Sequence, residues 1–150
     1  QAMLAVLRTI NKLHELGFME IAPLRPRLVR READLLAIKD SRRYAVEVFR
    51  SGETAHRLAN HESQSINLAS YIARRVREKL PQVARTMEEH GCPEGIFVVV
   101  MDSQPSRALD NASEYLESVI TALEEIDDPQ SIHILLFTSH DEHVCHPPIT

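Results

Sequence analysis

The chain has 150 residues, of which 43% are hydrophobic and 26% are charged, and its formal net charge at pH 7 is -5. This length and composition predict one globular domain over 1–150, with enough apolar surface for a core and no need for a second domain. The longest apolar runs are too short to cross a bilayer and two cysteines cannot form a disulfide framework, so we expect a cytoplasmic protein with free thiols and no membrane partner.

The N-terminal part of the chain predicts a helix and then a short strand. Apolar residues recur at helical spacing over 3–16, and Gly17 follows where a C-terminal cap belongs. The next residues, 18–22, are typical of a strand, and Pro23 ends it. An amphipathic helix that precedes the first strand is therefore the first predicted unit.

A tight β-hairpin is predicted next. Two runs of alternating polarity, at about 33–39 and 43–49, flank the dipeptide Asp40-Ser41. If these two residues form the whole loop, Lys39 pairs with Arg42, and paired positions sum to 81. The register of the hairpin follows from the length of this turn.

This register brings two acids together. Asp34 falls opposite Glu47. Both acids interrupt strand sequences that are otherwise apolar. Like charges directly opposite each other are destabilising unless something positive lies between them, and a charge inside an apolar strand is costly unless it is paired or bound to a metal. The pair therefore predicts a site for a divalent cation.

The rest of the chain predicts two further helices and two buried strands. Helical phase is kept over 66–87, with Pro81 predicting a break or kink midway. Apolar runs of β-branched character at 95–101 and 132–138 indicate strands buried on both faces, separated by a helix at about 106–126. The order αβββαβαβ predicts an α/β fold.

The predicted architecture is a mixed five-stranded sheet with helices on both faces. An antiparallel meander comes first and a βαβ crossover comes last. The C-terminal residues, 139–150, show no periodic pattern, so we expect an irregular tail there.

The element order and the two acids resemble the PD-(D/E)XK nuclease superfamily, which has the restriction-endonuclease-like fold. Its motif is a first acid, a gap, and then acid-X-Lys; Asp34 and Glu47 match the two acids, with twelve residues between them. The resemblance implies that Asp34, Glu47 and the backbone carbonyl of Val48 hold magnesium or manganese. It also implies that the chain is an endonuclease-like domain that hydrolyses DNA phosphodiester bonds.

The motif is incomplete in this chain. Phe49 stands where the family has its lysine, and Ala33 stands where it has proline. Gln64 resembles a third catalytic element that follows the third strand in several branches of the superfamily, so we include it with Asp34 and Glu47 as a candidate catalytic residue. The alternative is a catalytically inactive relative that binds nucleic acid or protein.

Positive charge is concentrated in the first part of the chain. Residues 1–80 hold 15 lysines and arginines against 9 acids, whereas residues 81–150 hold 2 against 13. A polyanion such as DNA would therefore bind the N-terminal part, and a protein partner or a homodimer is the alternative. The candidate DNA-contacting residues are Arg25, Arg27, Arg30, Arg31 and Arg50.

Overall fold

A computed structural model describes residues 2–24, 32–50, 64–101, 120, 131–138 and 143–149. Within these residues the elements are, in chain order, α1 (Ala2–Glu15), β1 (Met19–Pro23), β2 (Leu35–Lys39), β3 (Arg42–Arg50), α2 (Gln64–His90), β4 (Glu94–Met101), β5 (Ile132–Thr138) and β6 (His143–His146). The helix predicted at about 106–126 lies outside the described residues except for Ile120, which is helical. No helix in the described part of the chain combines the length and the apolar character that a membrane crossing needs.

The six strands form one mixed sheet in the order β1-β2-β3-β4-β5-β6. Strands β1, β2 and β3 form an antiparallel meander, β3, β4 and β5 are parallel, and β6 is antiparallel to β5. The α/β class and the mixed sheet are confirmed, but the predicted count of five strands is wrong. The sixth strand lies in the predicted irregular tail, where four residues are too few to show a period of two, and it forms by pairing with the exposed edge of β5.

The β2–β3 hairpin has the predicted register. Lys39 pairs with Arg42, and the ladder continues to Leu35 opposite Val46. Both loop residues adopt the left-handed region, with φ of 52° at Asp40 and 67° at Ser41. A type I′ turn requires positive φ at both central positions, and its twist matches that of the strands it joins.

A hydrophobic cluster lies on each face of the sheet. Alternate residues of β3 and β4 contribute to opposite clusters, as strand geometry requires. The cluster on the α1 face is built from Ala5, Leu13, Phe18, Leu35, Ala37, Tyr44, Val46, Ile96, Val98, Val100, Leu135 and Phe137. The cluster on the α2 face is built from Ala33, Ala45, Phe49, Ile72, Val76, Val83, Cys92, Phe97, Val99, Ile134 and Leu136. The prediction of helices on both faces is therefore confirmed, and Cys92 and Cys145 are free thiols as expected.

Helix α2 runs without a break through Pro81. The sequence predicted a break or kink there, and the break is wrong, because one helix from Gln64 to His90 contains Pro81. Pro81 lies on the exposed side of the helix, where water can hydrate the carbonyl that the missing N–H would have bonded. Continuity matters for the site, because Lys79 and Gln82, which both act on Glu47, stand on opposite sides of Pro81 in one helix.

Gly95 permits close packing of β4 against α2. A Cβ atom at this position would lie 2.8 Å from Val83 Cγ1, and 3.1 Å from both Met87 Sδ and Ile132 Cδ1. We expect Gly95→Ala to lower the free energy of unfolding by about 1–3 kcal/mol, because the branched Val83 side chain cannot move aside without repacking.

Chemical denaturation measures this effect, and Val83→Ala provides the matched background. Because Val83→Ala removes the atom in closest contact, the cost of Gly95→Ala should be smaller in that background. Equal costs in the two backgrounds would show that overpacking against α2 is not the cause.

Candidate functional site

Asp34 precedes β2 and turns its carboxylate toward β3. Its Oδ2 accepts a hydrogen bond from the backbone N–H of Val48 at 2.8 Å. The residue therefore lies one step beyond the last ladder pair, beside Glu47, as the hairpin register predicted. A backbone donor fixes the carboxylate more firmly than a flexible side chain would.

Glu47 lies in the middle of β3 and faces α2. It shares this face with Ala45 and Phe49, and only 4% of it is exposed to solvent. The side-chain amide of Gln82 on α2 donates a hydrogen bond to Glu47 Oε2 at 2.5 Å and another to the carbonyl of Glu32 at 2.8 Å. The acid is therefore almost completely buried and is held from the helix side.

The pKa of the Glu47 carboxyl lies far above its ordinary value. Burial is the largest cause that raises the pKa of Glu47, followed by its hydrogen bond to the Asp34 carboxyl and the repulsion of that charge, and together they raise the pKa to about 9. The positive charges of Lys79 and Arg75 on α2 act in the opposite direction. At neutral pH the Glu47 carboxyl therefore keeps its proton and donates it to Asp34.

A buried threonine connects α2 to the segment that carries Asp34. Thr86 Oγ1 accepts a hydrogen bond from the backbone N–H of Ala33 at 2.9 Å and donates one to the carbonyl of Gln82 at 3.0 Å. Thr86 is fully buried. It therefore fixes the position of the backbone next to Asp34 relative to α2.

We expect Thr86→Val, which preserves the shape of the side chain, to lower the free energy of unfolding by about 1–3 kcal/mol. The reason is that the buried N–H of Ala33 loses its acceptor. Amide hydrogen exchange checks the cause directly: protection at Ala33 should fall in Thr86→Val and persist in Thr86→Ser, which keeps the hydroxyl. Unchanged protection in Thr86→Val would contradict this assignment.

Sequence reasoning missed the contribution of α2. Arg75, Lys79, Gln82 and Thr86 recur at spacings of three and four residues, which places them along one side of the helix. Polar residues at this spacing usually mark a solvent-exposed side, so they gave no signal of a site. Their distinguishing feature is that Val76 and Val83, the neighbours of Arg75 and Gln82, are buried.

The structure describes the surroundings of only some of the other predicted site residues. Phe49 is 7% exposed and belongs to the apolar cluster beneath α2, so no polar group stands at the position of the family's lysine. Arg50 ends β3 and, by alternation, faces away from Glu47. Gln64 begins α2, and its side chain lies outside the described residues. The predicted DNA-contacting residues Arg25, Arg27, Arg30 and Arg31 also lie outside the described residues.

A second group of potential metal ligands lies at the C-terminal end of α2. One ligand atom from each of Glu32, Glu89 and His90 falls within 4.8 Å of the others. No pattern in the sequence indicates this group, because the whole hairpin and most of α2 separate Glu32 from the other two residues. It is distinct from the Asp34–Glu47 pair in its ligands, since it includes an imidazole.

Comparisons with protein-family models, with curated proteins and with solved structures find no match to this chain. Function must therefore be argued from the chemistry of the site. Two carboxyl groups in contact, one just before β2 and one on β3, with cationic side chains on the adjacent helix, supply hard oxygen ligands and positive charge together. That donor set fits magnesium or manganese better than zinc.

Proposed function

We propose that the chain is a divalent-metal-dependent nuclease domain of the restriction-endonuclease-like kind, which hydrolyses phosphodiester bonds in DNA. The observation that carries the proposal is the contact between Asp34 and the buried Glu47 at the start of a β-hairpin. The order α1, β1, β2, β3, α2, β4 around the hairpin supports the proposal, because it is compatible with the family that the sequence resembles. A buried acid pair of this kind costs stability, which a purely structural role would not explain.

Asp34, Glu47 and the backbone carbonyl of Val48 would hold the metal. A bound magnesium or manganese ion lowers the pKa of a coordinated water and neutralises charge that develops on the phosphate. In the metal-free protein the proton shared by Asp34 and Glu47 compensates part of their repulsion. Metal and proton therefore compete for the same pair of carboxyl groups.

Lys79 takes the place of the missing motif lysine in this proposal. Its positive charge and that of Arg75 both act on Glu47, and both residues are only partly exposed on α2. Lys79 precedes Gln82 by about one helical turn, so it lies on the side of α2 that faces the acid pair. From there its ammonium group donates hydrogen bonds to the phosphate or to the attacking water.

DNA is the proposed substrate because of the distribution of charge. The basic part of the chain includes the residues that flank Asp34 and the cationic side chains of α2. Contacts from Arg25, Arg27, Arg30, Arg31 and Arg50 to the phosphate backbone stay a prediction. Binding that weakens steeply with salt is the signature expected of such contacts.

A second candidate function is binding of nucleic acid or protein without catalysis. Two observations favour it: the Gln82 amide already occupies one oxygen of Glu47, and Phe49 fills the space beneath α2 with apolar atoms. In that case the acid pair would be a retained feature of the core. The two candidates differ in whether the pair accepts a cation.

A plasmid-nicking assay with manganese separates the two candidates. The proposal predicts metal-dependent nicking by the wild-type chain and no nicking by Glu47→Gln. Asp40→Asn is the matched control, because it removes an exposed carboxylate from the hairpin turn and should keep full activity. Equal inertness of the wild type and Glu47→Gln in manganese would favour the binding function.

A further inference from the structure

We propose that Glu32, Glu89 and His90 form a second metal site, for a borderline transition-metal ion such as zinc, at the C-terminal end of α2. The site is separate from the Asp34–Glu47 pair and does not depend on the proposed nuclease function. It would link Glu32, which precedes β2, to the last turn of α2.

The geometry brings one nitrogen and two oxygen ligands together. The three ligand atoms lie within 4.8 Å of one another, and His90 Nε2 is 3.8 Å from Glu32 Oε1. This separation is too long for a hydrogen bond. Two ligands of one tetrahedral zinc ion, each about 2.0–2.1 Å from the metal, lie about 3.3 Å apart, so a small approach of the side chains would complete the site.

The buried ring nitrogen of His90 is the independent observation that points to a bound metal ion. The Nε2 atom of His90 is buried and has no hydrogen-bond partner among the described residues, although 27% of the side chain is exposed. A buried imidazole nitrogen normally has a partner, since leaving it without one costs free energy. A metal ion between His90 and the carboxylates would satisfy it.

The surroundings of the site favour a cation. The side chain of Glu32 is only 4% exposed, and a carboxylate attracts a cation more strongly where water is largely excluded. The C-terminal end of a helix carries partial negative charge, which adds to the attraction. The exposed guanidinium of Arg43 donates a hydrogen bond to the carbonyl of His90 at 3.3 Å and fixes the backbone of the ligand.

The ligand set selects the kind of metal. One imidazole and two carboxylates suit zinc, cobalt or manganese, whereas magnesium prefers oxygen ligands alone and keeps several waters. The Glu32 carbonyl also accepts the hydrogen bond from Gln82. A metal bound to Glu32 would therefore hold the junction from which Gln82 reaches Glu47.

The test is a calorimetric titration of zinc into the full chain carrying Glu47→Gln, so that the acid pair cannot compete for the ion. We expect one zinc ion per chain and a melting temperature that rises with zinc. Both His90→Gln and Glu89→Gln should weaken binding at least tenfold. Glu88→Gln, which removes the exposed neighbouring acid on the same turn, should bind as the parent does.

Cobalt provides a second readout, because the visible spectrum of the bound ion reports a nitrogen ligand, and the spectrum should lose that feature in His90→Gln. The exposed position of Glu89 makes Glu89→Gln informative even if His90→Gln fails to fold. The proposal is overturned if zinc affinity is unchanged in Glu89→Gln. It is also overturned if His143→Asn, on β6, removes the zinc response instead.

Discussion

Glu47→Gln should raise the free energy of unfolding of the metal-free protein at pH 8 by about 2–4 kcal/mol. Glutamine has the shape of a protonated glutamate. Its carbonyl oxygen can accept the hydrogen bond from Gln82, and its amide can donate to Asp34 as the shared proton does now. The substitution therefore keeps the contacts and removes the cost of holding the proton.

The raised pKa of Glu47 makes the folded protein less stable as pH rises. The folded-state pKa of Glu47 is raised to about 9 from an ordinary value of 4.5. Between these values the folded chain holds a proton that the unfolded chain has lost, so stability falls as pH rises through this window, with a slope of up to about 1.4 kcal/mol per pH unit. The stabilisation that the Glu47 proton contributes to the folded state is fully present below pH 4.5 and is lost by about pH 9.

Urea denaturation of both proteins at several pH values measures this effect. The two curves of stability against pH should meet near pH 4.5 and separate as pH rises, with Glu47→Gln the more stable. Glu88→Gln, an exposed substitution on α2, should follow the wild-type slope. If Glu47→Gln is less stable than the wild type at pH 8, the shared proton is not the state of this pair.

Lys79→Met should lower the rate of manganese-dependent nicking by about 100-fold or more. The physical reason is the loss of the Lys79 ammonium group, which acts on Glu47 from the turn of α2 preceding Gln82. Removal of a positioned proton donor or charge typically costs this much. The long methionine side chain preserves packing along the helix. Lys79→Arg keeps the charge and should recover part of the activity if the charge is what matters.

The measurement must separate catalysis from metal binding. Because Lys79 lowers the pKa of Glu47, its removal should also move the pH dependence of metal binding upward. The nicking rate is therefore compared at saturating manganese, where this shift has no effect on occupancy. Full activity of Lys79→Met under those conditions would mean that another group replaces the motif lysine.

The hairpin could be predicted from the sequence because local rules fix it. A two-residue loop sets the register, and strict alternation sets the face, so the positions of Asp34 and Glu47 followed from Asp40 and Ser41 alone. No tertiary contact was needed for this step.

The helical side of the site could not be predicted, because it depends on contacts between distant parts of the chain. Gln82 lies 35 residues after Glu47, and Thr86 lies 53 residues after Ala33. Helical periodicity identifies which side of α2 is apolar, but it does not say which polar neighbours become buried when the helix covers β3. The same limit applies to Glu32 and His90.

We expect a cation to replace the proton that Glu47 donates to Asp34. Calorimetric titration of manganese into the His90→Gln chain at pH 7, in two buffers of different ionisation enthalpy, measures this exchange. We predict one ion bound, release of close to one proton per ion, tighter binding at higher pH, and no binding after Glu47→Gln. Binding without proton release, or binding that survives Glu47→Gln, would contradict the claim.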